Sequence, residues 1–490
     1  MDNNSHTPLL AYSVEPVVLD EQIVQGEVNR TLFSKYKVKK LYIAALASWI
    51  GSMAQGTALG FSSPVIPKLE NGTDISLTKE DLSWFASLLP IGALVSGFVG
   101  GTSAQIFGRK GTLLITSVCF LVGWLLITYA SSVAMLMTGR FVTGFSCGLM
   151  SLCSPLYVIE ISTPDVRGFL GTCIQVSLTI GDLITVAVGM IISWRWLAFF
   201  CTLFPTILLF LCLFLPESPR WLLAKKRSID ALEALKFLHH DTVTVQKELE
   251  VIEHNLRIRP RMNMTFRDLC QAAVVKPLFL SLALVLFQQF CGMTSIGFYS
   301  VSIFQSASTV IGGYQSAVIM SFVGVISTAI ASLVMDRLGR KTLLISSGSL
   351  MSVTLCFLGI FFYFNTKIDS SFSQSYGWLP LTTLIFYTVA FSFGYGPIPA
   401  LMASELLPFR ARGLVDGFLT CFGWTCSFLV TKLFQNMIDL MQEYGVFWFY
   451  SIVCFCSCIF VKTVLPETKC RSLEDIEDTF DKYEPLTNCE

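Results

Sequence analysis

Gln288 and Gln289 stand side by side in LFQQFCGMTSIGFYS, residues 286–300, with Gly292, Thr294 and Ser295 close behind, in a stretch otherwise apolar enough for hydrocarbon. An amide at the centre of a bilayer is expensive unless another helix, water or a ligand satisfies it. Carboxamides offer donors and acceptors without charge, which suits them to ligands crowded with hydroxyls. On a helix these two side chains point ~100° apart, so at most one faces a central axis squarely while the other leans on a neighbour. The plainer alternative is that they tie helices together. Asp182, in LTIGDLITV, is expected to be the one ionisable side chain deep in an apolar run, two turns after Gln175 and near the same face. It is a candidate to bond ligand hydroxyls or to carry a proton.

The elements that hold these groups follow from composition. Hydrophobic residues make up 53% of the chain and charged residues 14%, well short of the roughly one quarter charged in a soluble protein. The apolar residues fall in runs of bilayer-spanning length without period-two alternation, which predicts an all-α membrane protein with about twelve transmembrane helices. Lys and Arg crowd the segment before the first run, the 216–274 segment and alternate short loops, whereas 131–134 and 305–312 hold none. The positive-inside rule then puts both termini in the cytoplasm.

A cytoplasmic tail is expected over 1–40, six helices over 41–215, amphipathic linker helices over 216–274, six more helices over 275–465 and a second tail over 466–490. Asn71 begins a glycosylation sequon in a loop expected outside. The sixteen cysteines lie mostly in apolar runs, with no matching histidine set, so neither a metal nor a cofactor is expected. No constellation supports enzyme chemistry; zero net charge says nothing for or against nucleic acid, and no such partner is expected.

The chain repeats itself. GRKGTLL at 108–114 returns as GRKTLL at 339–344, EISTPDVRG from Glu160 as ELLPFRARG from Glu405, and PESPR from Pro216 as PETK from Pro466. Three matches in one order at similar offsets predict two homologous six-helix halves around a midplane site. Arg109, Arg167, Arg340 and Arg412 are expected to pair with Glu160, Glu217, Glu405 and Glu467 in a network that joins the halves and favours a closed cytoplasmic side. Simple capping and topology signalling is the alternative. Gln105 stands where the second copy has Asp336, which predicts a weaker first copy.

GRFVTGFSCGLMSLCSPLYVIEISTPDVRG, PESPRWL, QQFCGMTSIGFYS, DRLGRK, GYGPIPALMASELLPFRARG and PETK resemble the signatures of the sugar porter family of the major facilitator superfamily, over roughly 41 to 470. Within it the chain is most similar to animal facilitative glucose transporters of the intracellular class and to insect facilitated trehalose transporters. The resemblance implies sugar transport by alternating access, sugar hydroxyls on Gln175, Gln288 and Gln289, and a latch role for the charged motifs.

Other contacts implied by the family are altered. Its asparagine after the paired glutamines reads Thr294, its span-eight asparagine Gly324, its acidic residue before GPIP Ser392, and its tryptophan after GPIP Ala400. Gly423 and Ser427 replace asparagines around Trp424, which is either a stacking platform or a packing residue. A smaller cage leaves room for a disaccharide, or binds loosely. Pro397 and Pro399 in GYGPIP break their helix, as an outer gate hinge or a static kink.

A sugar sensor is the competing class, although the 466–490 tail is short for signalling. HTPLL and YEPL resemble sorting signals for tail-binding adaptors, so a cell-membrane protein with an endosomal or lysosomal pool is expected. Ser62 stands where proton-coupled relatives carry aspartate, so passive transport is expected, with symport through Asp182 as the alternative. Sugar uptake into proteoliposomes should therefore ignore an imposed pH gradient. Gradient-driven accumulation abolished by Asp182→Asn would mark symport instead.

Overall fold

A computed structural model of the chain describes residues 39–70, 72, 75–162, 164–238, 242–258, 272–309, 311–335, 339–368, 375–407 and 412–467. The regular elements among them are α-helices. The first crossing is α1 (Lys39–Gly60) with α2 (Ser62–Glu70), interrupted at Phe61. Four unbroken helices follow: α3 (Lys79–Ile106), α4 (Gly108–Thr128), α5 (Val133–Ile161) and α6 (Pro164–Ile191). The sixth crossing is α7 (Trp194–Cys201) with α8 (Leu203–Phe214).

Short helices α9 (Pro219–Ala224), α10 (Ser228–Leu238) and α11 (Thr242–Ile258) lead to the second set. Its first crossing comes in three pieces, α12 (Ala272–Phe290), α13 (Met293–Phe298) and α14 (Ser300–Ser306). Then come α15 (Gly313–Val334), α16 (Arg340–Lys367) and a crossing split into α17 (Leu379–Phe393) and α18 (Ile398–Leu406). The last, α19 (Arg412–Thr463), turns at Gln442, whose φ of 62° is not helical, and holds two crossings.

Ten stretches meet the length and apolarity needed to span a bilayer, with α19 counted once. Counting α19 twice and adding α1–α2 gives the twelve expected. The α1 run is less apolar because Ser48, Ser52, Gln55 and Thr57 are buried against other helices. Ser52 accordingly bonds the Ser48 carbonyl at 2.9 Å and meets Ser154 at 3.1 Å.

Close packing rather than hydrophobic burial holds helices together in lipid. Backbones of α3 and α5 nearly touch, and a Cβ on Gly144 would sit 2.2 Å from the Leu89 carbonyl oxygen. In the second half α16 packs on both α17 and α19. The linker helices bury Leu222, Leu223, Ala231, Ala234 and Ile252 in a small core of their own. They are fastened to the first half by the Trp221 indole on the Gln105 carbonyl, 2.9 Å, and by Lys40 over the Phe237 ring.

The break between α12 and α13 follows the paired glutamines directly. Gly292 there has φ of 92°, and a Cβ would lie 2.4 Å from the Tyr450 ring. Only glycine fits both demands. Gly292→Ala should lower thermal stability by at least about 1–2 kcal/mol from the left-handed backbone alone, measured as a drop in Tm of the purified protein in detergent.

Candidate functional site

One end of the molecule carries the charged motifs, and the internal repeat is visible there atom for atom. In the first half Arg109 donates to Glu160 at 2.7 Å and to the Ala104 carbonyl at 2.9 Å, while Glu217 accepts the backbone N–H groups of Arg109 and Lys110 at 2.8 and 3.1 Å. In the second half Arg340 donates to Glu405 at 3.3 Å, and Glu467 accepts the backbone N–H groups of Arg340 and Lys341 at 3.1 and 3.2 Å. Glu217 and Glu467 thus fill the same place at a helix N-terminus, where free N–H groups favour an anion.

The expected network across the halves belongs to a state closed at this end, whereas here the halves stand apart. Among the described residues each Arg–Glu pair stays inside its own half. The reason is geometric: each motif ties the start of one helix to the ends of two helices in the same bundle. Arg167 donates to the Ser162 carbonyl at 3.2 Å, with Arg220 and Glu248 near it. Asp336, Asn71 and the Arg412 side chain lie outside the described residues.

Contacts between the halves gather at the opposite end. Ser63 meets Ser300 at 2.6 Å, Ser83 donates to the Lys432 carbonyl at 3.1 Å, and Ser321 donates to Asp182 at 2.8 Å. Trp84 stacks on Phe428, with the Lys432 ammonium 4.1 Å from the indole centre. Lys68 holds the carbonyls of Gly189 and Ile192 and lies over the Tyr314 ring of the other half.

Towards the basic end the halves part. α3 and α19 are still close where a Cβ on Gly97 would lie 2.7 Å from Cys421 Sγ; one turn further, Gly101 and Gly417 have nothing within 4 Å. α6 behaves the same way. Its Asp182 face is closed against α15, yet on that face Gln175 is exposed and Gly171 and Gly168 have open space. A cleft sealed at one end and open at the other runs between the halves.

At its centre the two glutamines have separate partners. Gln288 donates through Nε2 to the carbonyls of Tyr395 and Gly396, at 2.7 and 3.0 Å. Gln289 accepts from Thr294 at 3.3 Å, and no bond from its amide nitrogen is found among the described residues. Ser392 donates to the Thr388 carbonyl at 2.9 Å and receives Thr328 at 3.5 Å. Trp424 is half-buried against the core and Ser427 is buried. Pro397 and Pro399 flank the start of α18, with Pro399 buried.

The sugar transporter family model, described as Sugar (and other) transporter, matches residues 42–480. The chain belongs to this family. It is 35% identical over 481 residues to the facilitated trehalose transporter Tret1 of Apis mellifera ligustica, covering 97% of this chain and 95% of that one. Its identity to the Bombyx mori protein of the same description is 39% over 437 residues, 89% of this chain and 86% of the other. Its fold matches an inward open conformation of the xylose transporter XylE from E. coli, with a TM-score of 0.76 at 22% identity, over 90% of this chain and 99% of that one. This sugar transporter therefore has the major facilitator fold.

Asp182 is not alone among buried ionisable groups, contrary to the expectation from sequence. Arg140 on α5 has 0% exposure and donates to the Ala58 carbonyl at 2.8 Å and to Ser62. The rings of Phe61, Phe85 and Phe298 surround its guanidinium at 5.2–5.9 Å, the last from the other half. The signal was present as an arginine in the apolar run 133–158. Its acceptors are uncharged, so no carboxylate marked it out.

The Asp182–Ser321 bond closes the sealed end. Asp182→Leu or Ser321→Ala should increase the fraction of molecules open there roughly tenfold. Spin-label distances between positions 70 and 435, on opposite walls of that end, should lengthen; unchanged distances would show that the bond contributes nothing to closure.

Proposed function

We propose that this sugar transporter is a facilitative carrier for an uncharged sugar of trehalose or hexose type, seated in the cell membrane with both termini cytoplasmic. The observation that carries the reading is the cleft: sealed through Lys68, Ser63, Trp84, Asp182 and their partners at one end, open beside the Arg–Glu clusters at the other. With the clusters cytoplasmic by the positive-inside rule, this is the inward-facing state of an alternating-access cycle.

Gln175, Gln289, Thr294 and Ser392 are the uncharged groups proposed to receive sugar hydroxyls, with Gln288 beside them and Trp424 offering an apolar face. Room for a second ring is supported by the small residues on the walls: a Cβ on Gly324 meets only Thr388 at 3.4 Å, and Ala400 is exposed. The trehalose transporters of Apis and Bombyx, at 35% and 39% identity, point to the same cargo class.

Passive transport is supported by Arg140, whose guanidinium donates to Ser62 and the Ala58 carbonyl, with no carboxylate among its partners to take up a proton. Asp182 is assigned to closure, not to proton traffic, because its hydrogen bond crosses to Ser321 on the other half.

A radiolabelled panel of trehalose, glucose, fructose and galactose in a transport-null cell tests this. Trehalose or a hexose should equilibrate without accumulating, and Gln289→Ala should cut uptake at least about tenfold while surface expression persists. Absence of uptake for every sugar at normal surface expression would overturn the carrier reading in favour of a sensor.

A further inference from the structure

Gln288 meets the second broken crossing where its backbone is deficient. In a helix the carbonyl of residue 395 would accept the N–H of residue 399, but Pro399 has none. Between α17 and α18 the chain makes other bonds, Gly396 to the Phe391 carbonyl at 2.8 Å and Ile398 to the Gly394 carbonyl at 3.1 Å. Neither reaches Tyr395. The missing donor comes from another helix, as Gln288 Nε2 lies 2.7 Å from the Tyr395 carbonyl and 3.0 Å from that of Gly396.

The Tyr395 side chain is anchored elsewhere, its hydroxyl donating to Ser457 at 2.8 Å. Gly394 is pressed against Ser347, where a Cβ would lie 2.3 Å from the Ser347 Cβ. The first two residues of the break, Gly394 and Tyr395, are therefore held against α16 and α19, and the Gln288 amide is the clamp on their backbone.

We infer that Gln288 is a positioning residue whose amide is shared between the break in the tenth crossing and the sugar. In the empty cleft it stands in for the N–H that Pro399 lacks. When a sugar hydroxyl takes the amide, the Tyr395 and Gly396 carbonyls lose their donor and the break is freed to bend. Occupancy of the cleft is in this way converted into mobility of the break between α17 and α18. The exchange rests on the carrier reading above, whereas the clamp does not.

Hydrogen exchange of the full-length protein in detergent, read by mass spectrometry over 394–402, separates the two. Without sugar, Gln288→Met should raise exchange in this segment roughly five- to tenfold, the loss of one to two hydrogen bonds. Pro399→Ala restores a backbone donor for Tyr395, so the double variant Gln288→Met/Pro399→Ala should return towards the level of Pro399→Ala alone. A Gln288→Met effect that is absent, or that is equally large in the Pro399→Ala background, would overturn the clamp.

Saturating trehalose or glucose should then raise exchange over 394–402 in the unmodified protein and leave Gln288→Met unchanged. Sugar binding, confirmed by equilibrium dialysis, without that rise would overturn the exchange. Binding of none of trehalose, glucose, fructose and galactose would overturn the carrier reading and the exchange with it, and leave the clamp decided by the first arm.

Discussion

A backbone carbonyl set free inside a membrane must find a donor, because hydrocarbon offers none. This constraint explains why the interrupted crossings are found where they are. The break at Gly292 and the break at Pro397–Pro399 come together at Gln288, so that an amide from one supplies what the other has lost. The first half breaks its opening helix at the corresponding place, between α1 and α2, and there the Arg140 guanidinium serves the Ala58 carbonyl. Irregular backbone, polar side chains and the cleft thus occur together for one reason: each makes the others tolerable.

Rigidity is concentrated where helices start at the basic end. Glu217 and Glu467 bond successive backbone N–H groups while their arginines reach a second carboxylate, so each half is stapled to itself. Ion pairs exposed to water contribute little individually, but these are largely enclosed and geometrically repeated. The halves can then move as bodies, with mutual contacts made of hydroxyls, rings and carbonyls together with the Asp182 carboxylate on Ser321 and the Lys68 and Lys432 ammoniums over rings of the facing half.

Much of this was legible in the residues. Twelve apolar runs and three repeated motifs predict two bundles, and the same repeat predicts which arginines and glutamates belong together. What the motifs do not contain is which state is seen: with the basic end open, the Arg–Glu pairs present are internal to each half, and the network expected across the halves belongs to the closed state. Arg140 escaped notice because its acceptors are a serine and a carbonyl. The division of labour between Gln288 and Gln289 follows from their ~100° separation, but which of them leans on a neighbour depends on the path of the tenth crossing. Ser321 carries no signal at all without Asp182 facing it.

Gly97 lets α3 lie close to Cys421 of α19 with no side chain of its own between them. Each residue of α3 beyond it adds about 1.5 Å of lever arm, so the aperture at the basic mouth widens with every turn for a fixed rotation. A glycine in that position leaves no side chain of α3 that a change of tilt would have to repack against Cys421.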